Sequence, residues 1–121
     1  MMLAHVLLFK PRPDMSVADR RAFAAAFEQA VREIPSIRRF RVGRRVTHGR
    51  EYERAMTVDY EYAAILEFDD VAGLQAYLRH PAHDELGTRL FAAMESGLIY
   101  DFEMRDEAGF SEWLASEVGK V

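Results

Sequence analysis

The chain begins with a short apolar segment, residues 3–10, whose length and composition are typical of a β-strand. Alternate side chains of a strand point to opposite faces. One face would carry the odd positions Leu3, His5, Leu7 and Phe9. The even positions are mostly apolar too, so we expect both faces of the strand to be covered. Pro11 and Pro13 would end it, because proline cannot donate a ladder hydrogen bond.

A helix is predicted next, between two residues that mark its ends. Ser16 fits an N-cap, with Asp19 three residues later as a short form of the capping box. Pro35 would end the helix, because the residue before a proline disfavours α geometry. Between these ends, apolar residues recur at helical spacing and form one stripe: Phe23, Phe27, Ala30, Val31 and Ile34.

Two further strands are predicted at residues 37–46 and 59–68, joined by a polar segment at 48–57 that we expect to be a loop. In the first strand, apolar and basic positions alternate: Phe40, Val42 and Val46 against Arg39, Arg41 and Arg45. In the second strand, one face would carry Tyr60, Tyr62, Ala64, Leu66 and Phe68.

A broken helix and a last strand complete the pattern. Asp70 would cap a short helix ending at residue 79, and His80-Pro81 would break it before a second helix at 81–95. The buried side of the short helix would carry Val71, Leu74, Tyr77 and Leu78. Gly97 would precede a strand at 98–104. The order β-α-β-β-α-α-β predicts an α+β, ferredoxin-like domain over residues 1–105.

Residues 106–121 lie beyond this unit and have the spacing of an amphipathic helical tail. The apolar positions of the tail are Phe110, Trp113, Leu114 and Val118. We expect the tail to pack on its own domain, in preference to acting as a lid over a pocket or as a clasp on a partner subunit.

Composition narrows the class of protein. The 121 residues suffice for one domain, and the lack of cysteine excludes disulfides, thiolate metal sites and cysteine nucleophiles. The apolar N-terminal segment is too short to span a membrane and has no basic start, so we expect a cytoplasmic protein without a membrane partner. A net charge of −4 argues against a nucleic-acid partner.

The segment richest in candidate chemistry is residues 77–83, which places the phenol of Tyr77 and the imidazoles of His80 and His83 around a helix break. Histidine exchanges protons near neutral pH, so a histidine assisted by a tyrosine could remove a proton from carbon beside a carbonyl. The same residues also suit structural roles, with His80-Pro81 as a helix stop, His83 as a cap and Tyr77 in the core. From the sequence pattern alone we favour the structural interpretation, because a motif match is only a hypothesis until the geometry of the folded site confirms it.

Metals, cofactors and nucleic acids have less support. The histidines could suit zinc, but His80 and His83 straddle a proline and no carboxylate stands at the spacing of a helical metal motif. The chain carries no phosphate-cradling loop and no dinucleotide fingerprint, so we expect neither a metal nor a cofactor. An arginine cluster at residues 38–54 has no interleaved aromatic platform, and we expect it to be solvated or paired with acidic residues.

Several motifs together resemble the stress-responsive dimeric α/β-barrel (Dabb) family. They lie at residues 5–10, 34–37, 42–43, 66–68 and 100–102, and in the Tyr-x-x-His-Pro-x-His element at 77–83, which is the most specific of them. The resemblance covers about residues 3–104. It implies two ferredoxin-like subunits whose sheets face each other to close a barrel, and therefore a homodimer.

The resemblance also implies a site. One family member, a plant polyketide cyclase, closes a ring by aldol-type chemistry without a cofactor. By this likeness His83 would be the general base, Tyr77 its supporting tyrosine and His5 a further polar group on the first strand. The chain departs from the pattern at Phe27, where the cyclase has a tyrosine, and at Tyr62, where several relatives carry a histidine. The substrate therefore stays open.

Two functions are compatible with these features. One is a cofactor-independent cyclase, lyase or isomerase that acts on a small apolar or aromatic carbonyl compound. Its substrate pocket would be lined by Phe9, Phe23, Phe27, Tyr62 and His80. The other is a non-catalytic homodimer that serves in a stress response or binds a small ligand. In both cases the dimer would bury an apolar sheet face that includes Ala4, Val6, Leu8, Ala63 and Ile65.

Overall fold

The computed structural model describes residues 2–117 and contains four strands and five helices in that range. They follow in the order β1 (Met2–Pro11), α1 (Val17–Glu33), β2 (Arg39–Arg44), α2 (Glu51–Ala55), β3 (Tyr62–Phe68), α3 (Val71–Arg79), α4 (Pro81–Ala93), β4 (Met94–Met104) and α5 (Glu107–Glu117). The strands form one sheet in the order β2-β3-β1-β4, with every neighbouring pair antiparallel. The predicted ferredoxin-like fold is confirmed.

The central strand β1 sets the register of the sheet. Leu7 lies opposite Ala64 of β3 and Ile99 of β4, while Val6 lies opposite Ile65 and Tyr100. Since cross-strand partners point to the same side, the odd positions of β1 share one face with Ala64 and Ile99. That face is buried beneath α1, α3 and α4, and we call the other face the outer face.

The core lies between the helices and the inner face of the sheet. Leu66 and Phe68 of β3 are its most completely buried large side chains. Burying a side chain of this size contributes on the order of 1.5–3 kcal/mol. The partners from β1 and the helices are Leu3, Leu7, Phe9, Phe23, Ala26, Ala30, Leu74, Tyr77, Leu86 and Leu90.

The helix ends follow the predicted capping chemistry. The Ser16 hydroxyl accepts a hydrogen bond from the Asp19 backbone N–H at 3.1 Å, and α1 ends two residues before Pro35. The Asp70 carboxylate accepts from the Gly73 N–H at 2.9 Å at the start of α3. The break before α4 has a cap of its own, because Nδ1 of His80 accepts from the Ala82 N–H at 3.0 Å.

The predicted boundaries need correction in four segments. The segment 48–57 is not a plain loop: it contains the short helix α2, whose start is held by the Glu53 carboxylate accepting from the backbone N–H groups of His48 and Arg50. β2 and β3 are shorter than predicted, at residues 39–44 and 62–68. β4 begins at Met94 instead of residue 98, because pairing with β1 continues through Gly97 and Ser96.

Three apolar side chains predicted to be buried are exposed. Val31 of α1 and both Val71 and Leu78 of α3 are each more than a third accessible to solvent. α3 presents only Leu74 and Tyr77 to the sheet, and α1 buries Ala26 in addition to Phe23 and Ala30. Helical spacing defined the stripe correctly, but its width depends on how closely each helix approaches the sheet.

The tail is helical from Glu107 to Glu117, and Val118 lies outside the described residues. The Asp106 carboxylate caps α5 by accepting from the Gly109 N–H at 2.9 Å. The Arg105 guanidinium lies over the Trp113 ring at 4.6 Å, while Phe110 and Leu114 are exposed. The expectation that the tail packs on its own domain is wrong for these two side chains, because α5 does not lie extensively against the other elements.

We expect Asp70→Ala to lower the free energy of unfolding by about 0.5–2 kcal/mol, because it leaves the Gly73 N–H without its cap. Asp69→Ala is the matched control: that carboxylate is exposed and pairs only with Arg38, an interaction worth about 0–1 kcal/mol. Urea unfolding of both variants measures the difference. Equal losses in the two variants would contradict the assigned cap.

Candidate functional site

His5 lies in the middle of β1 and is the one polar side chain buried in the core of the described residues. Its cross-strand partner on β4 is Asp101, and Nδ1 of His5 lies 2.5 Å from Oδ1 of Asp101. A carboxylate can only accept, so Nδ1 of His5 carries the donated hydrogen and Nε2 faces away from the carboxylate. Short contacts of this kind are charge-assisted and orient the imidazole strongly.

Tyr77 of α3 stands between the two histidines of the site. Its ring is buried and contacts Phe68, His5 and His83 with centroid separations of 5.3, 5.7 and 4.7 Å. Burial, with a smaller contribution from the charge of Asp101, raises the pKa of Tyr77 well above its ordinary value of 10. The phenol therefore stays protonated at neutral pH and can act as a hydrogen-bond donor.

His83 lies in the first turn of α4, just after the helix break, and meets the Tyr77 ring edge to face. Its Nδ1 is buried without a hydrogen-bond partner among the described residues. Burial lowers the pKa of His83 below 6.5, His5 lowers it further, and Asp84 and the Leu78 carbonyl partly oppose the shift. The imidazole is therefore neutral near pH 7, which is the state that a general base needs.

A small cavity of about 40 Å³ joins these residues. It is lined by His5, Leu7, Phe27, Leu66, Tyr77, His83, Leu86, Gly87, Leu90 and Ile99. This space exceeds the roughly 10–15 Å³ that a buried water needs but is far below the ~300–1,000 Å³ of ligand pockets. The side chains between His5 and His83 thus nearly fill the space that a substrate would need.

A much larger groove of about 720 Å³ opens between α1 and the β2–β3 side of the sheet. The aromatic residues Phe9, Phe23, Phe27, Phe40 and Tyr62 line it, together with Pro11, Met15, Arg20, Ala24, Glu28, Val31, Arg32 and Val42. Phe9 stacks on Tyr62 at 5.5 Å, and Phe23 contacts Phe27 at 5.2 Å. An apolar groove of this size with few polar groups is typical of small-molecule sites.

The structure gathers most of the predicted site residues, but in two groups. His5, Tyr77 and His83 meet in the small cavity, and the four aromatic residues expected to line a pocket meet in the groove. His80 lines neither space, because its imidazole caps α4; its assignment to the substrate pocket is not supported. Tyr77 and His83 touch through their rings, and no direct hydrogen bond joins them.

Asp101 is the residue of the candidate site that sequence reasoning missed. Its one signal in the sequence is that it places a carboxylate in the otherwise largely apolar segment 98–102. Its partner His5 is 96 positions away along the chain. Within residues 2–117 no cluster of histidine and carboxylate side chains suitable for a metal is found. Two arginines of the basic cluster pair with acidic residues, Arg38 with Asp69 at 2.9 Å and Arg45 with Asp59 at 2.7 Å.

None of the helices in the described part of the chain is both long enough and apolar enough to cross a bilayer. The family model for the stress responsive A/B barrel domain (Dabb) matches residues 3–104. The chain therefore belongs to the Dabb family, as its motifs predicted.

Three relatives illustrate the match. Olivetolic acid cyclase of Cannabis sativa is 26% identical over 105 residues, covering 87% of this chain and 99% of the cyclase. A dimeric ferredoxin-like protein of unknown function from Jannaschia sp. CCS1 is 27% identical, with a TM-score of 0.68 over 86% of this chain and 100% of that one. The structure of hydroxynitrile lyase from Passiflora edulis has a TM-score of 0.74 at 13% identity, over 87% of this chain and 94% of the lyase. At this identity the likeness shows the fold alone.

The lowered pKa of His83 predicts how the free energy of unfolding changes with pH. The folded protein binds this proton less readily than the unfolded chain, whose histidine titrates near 6.5. The resulting stability is full above about pH 6.5 and is lost as pH falls from there toward the folded pKa. We expect the wild type to lose more free energy of unfolding between about pH 7 and pH 5 than His83→Asn, as measured in urea. An imidazole NMR titration placing the pKa of His83 at 6.5 or higher would contradict this.

Proposed function

We propose that the protein is a cofactor-independent enzyme that uses His83 to remove a proton from carbon next to the carbonyl of a small, apolar or aromatic compound. The observation that carries the proposal is the buried Nδ1 of His83, which has no hydrogen-bond partner among the described residues, on an imidazole held neutral beside a protonated phenol. Leaving a buried polar atom unpaired costs about 1–3 kcal/mol, so such an atom in a native structure calls for an explanation.

The chemistry divides among three side chains. The His83 imidazole takes the proton, and the electron pair of the broken C–H bond moves to the carbonyl oxygen to form an enolate. The protonated Tyr77 hydroxyl is the donor available to that oxygen, and its ring holds the imidazole in place. The His83 imidazolium then returns a proton to the enolate carbon, which restores the ketone and the neutral base. His5, oriented by Asp101, is a second imidazole beside the site. General-base assistance of this kind contributes on the order of 10²–10⁴-fold in rate.

The groove would hold the apolar body of the substrate, with Phe9, Phe23 and Tyr62 as its walls. The sequence relative named olivetolic acid cyclase supports an enzyme on this fold. Fold likeness alone does not define a reaction, so the proposal depends on the histidine site.

A second candidate is a non-catalytic homodimer that binds a small apolar molecule. It is favoured by the volume of the histidine cavity, about 40 Å³, which has no room for a substrate while the side chains stand as they do. In that case the groove would bind the ligand, and His83 would have no catalytic role.

We also propose that the protein is a homodimer joined through the outer face of its sheet. That face carries Ala4, Val6, Leu8, Ala63, Ile65, Leu98, Tyr100 and Phe102, of which Ile65 and the last three are exposed in the single chain. Contiguous apolar surface is rarely left open to water. The Jannaschia relative is described as dimeric, which supports the same assembly here.

The catalytic proposal predicts that the wild type accelerates exchange of α-protons for deuterium in a panel of small aromatic and medium-chain ketones in D₂O, followed by NMR. His83→Ala should remove the acceleration. Tyr77→Phe should reduce it by less, because the ring contact with His83 remains.

His48→Ala is the matched control, since His48 is exposed and pairs with Tyr52 at 2.8 Å, away from the cavity. It should leave exchange unchanged. If His83→Ala keeps full exchange per folded molecule, the non-catalytic candidate stands instead.

The dimer makes a separate prediction. Ile65→Asp places a charge at the middle of the outer face and should shift sedimentation equilibrium from twice the chain mass to the chain mass, because an unpaired buried charge is costly. The interface should bury at least ~1,000 Å² in total. Val17→Asp, in the exposed first turn of α1, is the control and should stay dimeric. A wild type found only at the mass of one chain would overturn the assembly.

A further inference from the structure

Phe27 lies at the boundary between the apolar groove and the small histidine cavity. It is the one residue that lines both the apolar groove and the small cavity of His5, Tyr77 and His83. It projects from the middle of α1, where the Phe23 ring lies 5.2 Å away and the Phe40 ring 5.6 Å away. As the residue that the two linings share, Phe27 is the side chain placed to act as a wall between the roughly 720 Å³ groove and the space around the histidines.

This wall can move at modest cost. A side chain packed on every side by the core resists rotation, because neighbouring atoms must move with it. Phe27 is only partly buried and lines the open groove, so it is packed less completely than a core side chain. A turn of its ring toward the groove therefore meets less resistance than a turn within the core would.

We propose that Phe27 is the specificity-determining gate of this protein: the apolar body of a carbonyl ligand rests in the groove, and its carbonyl end reaches His83 only when the Phe27 ring turns aside. The inference rests on the proposed function for what happens once the carbonyl meets His83. The gate itself concerns only whether a bound ligand can reach that residue. Residue 27 would select ligands by the width of the end that must pass it, while the groove selects only for apolar character.

The test uses acetophenone, a small aromatic ketone, as the binding probe, and NMR of the whole protein with labelled histidine rings. In the wild type, acetophenone should shift the backbone signals of Phe23 and Val31 and leave the His83 ring signals nearly unchanged. In Phe27→Ala the His83 shift at saturation should be at least threefold larger. Phe27→Leu should give an intermediate shift and guards against loss of folding in the alanine variant, while Phe27→Trp should give none.

Val31→Ala is the matched control, because Val31 lines the groove and not the histidine cavity. It should alter acetophenone affinity and leave the His83 shift as small as in the wild type. Equal His83 shifts in the wild type, Phe27→Leu and Phe27→Ala would overturn the gate, as would failure of acetophenone to perturb the groove. Because no turnover is measured, the gate can hold while the exchange assay fails, and the reverse.

Discussion

The arrangement of the site depends on the antiparallel pairing of β1 with β3 on one side and β4 on the other. The central strand points its odd residues under the helices, and the register with β4 brings Asp101 directly opposite His5. A shift of one residue would turn His5 to the outer face and remove it from Tyr77 and His83. The register therefore holds together both the apolar core and the polar constellation within it.

The helix break supplies the second constraint. In a continuous helix through residues 77–83, the helical turn alone would fix the directions in which the side chains of Tyr77 and His83 point. The break at His80-Pro81 lets α4 start in a new direction, and the two rings then meet edge to face at 4.7 Å. The capping imidazole of His80 satisfies the N–H of Ala82 at this break, so the histidine that seemed a pocket residue stabilises the geometry instead.

Separation of the two cavities links structure to specificity. An apolar groove alone binds many compounds weakly, and a histidine site alone, with room for a water molecule, acts on none of them. In the proposed gate, the partly buried Phe27 ring between them makes access depend on the ligand. Burial keeps the His83 imidazole neutral, with its Nδ1 unpaired among the described residues.

The order of the strands and longer helices, the caps at Ser16 and Asp70, the fold and the family could be predicted from the sequence, because alternation, capping residues and the Tyr-x-x-His-Pro-x-His element act over a few neighbouring positions. The short helix α2 and the cap that His80 gives α4 could not. The meeting of Tyr77 with His83 was also foreseen, since the two are six residues apart across one break. The start of β4 at Met94, the exposure of Phe110 and Leu114, and the pairing of His5 with Asp101 were not. Each of these depends on contacts between distant segments, which no local pattern records. The division of one expected pocket into two cavities has the same cause: it is decided by how α1 sets the Phe27 ring against β1 and β2, a matter of ångströms that only packing in three dimensions determines.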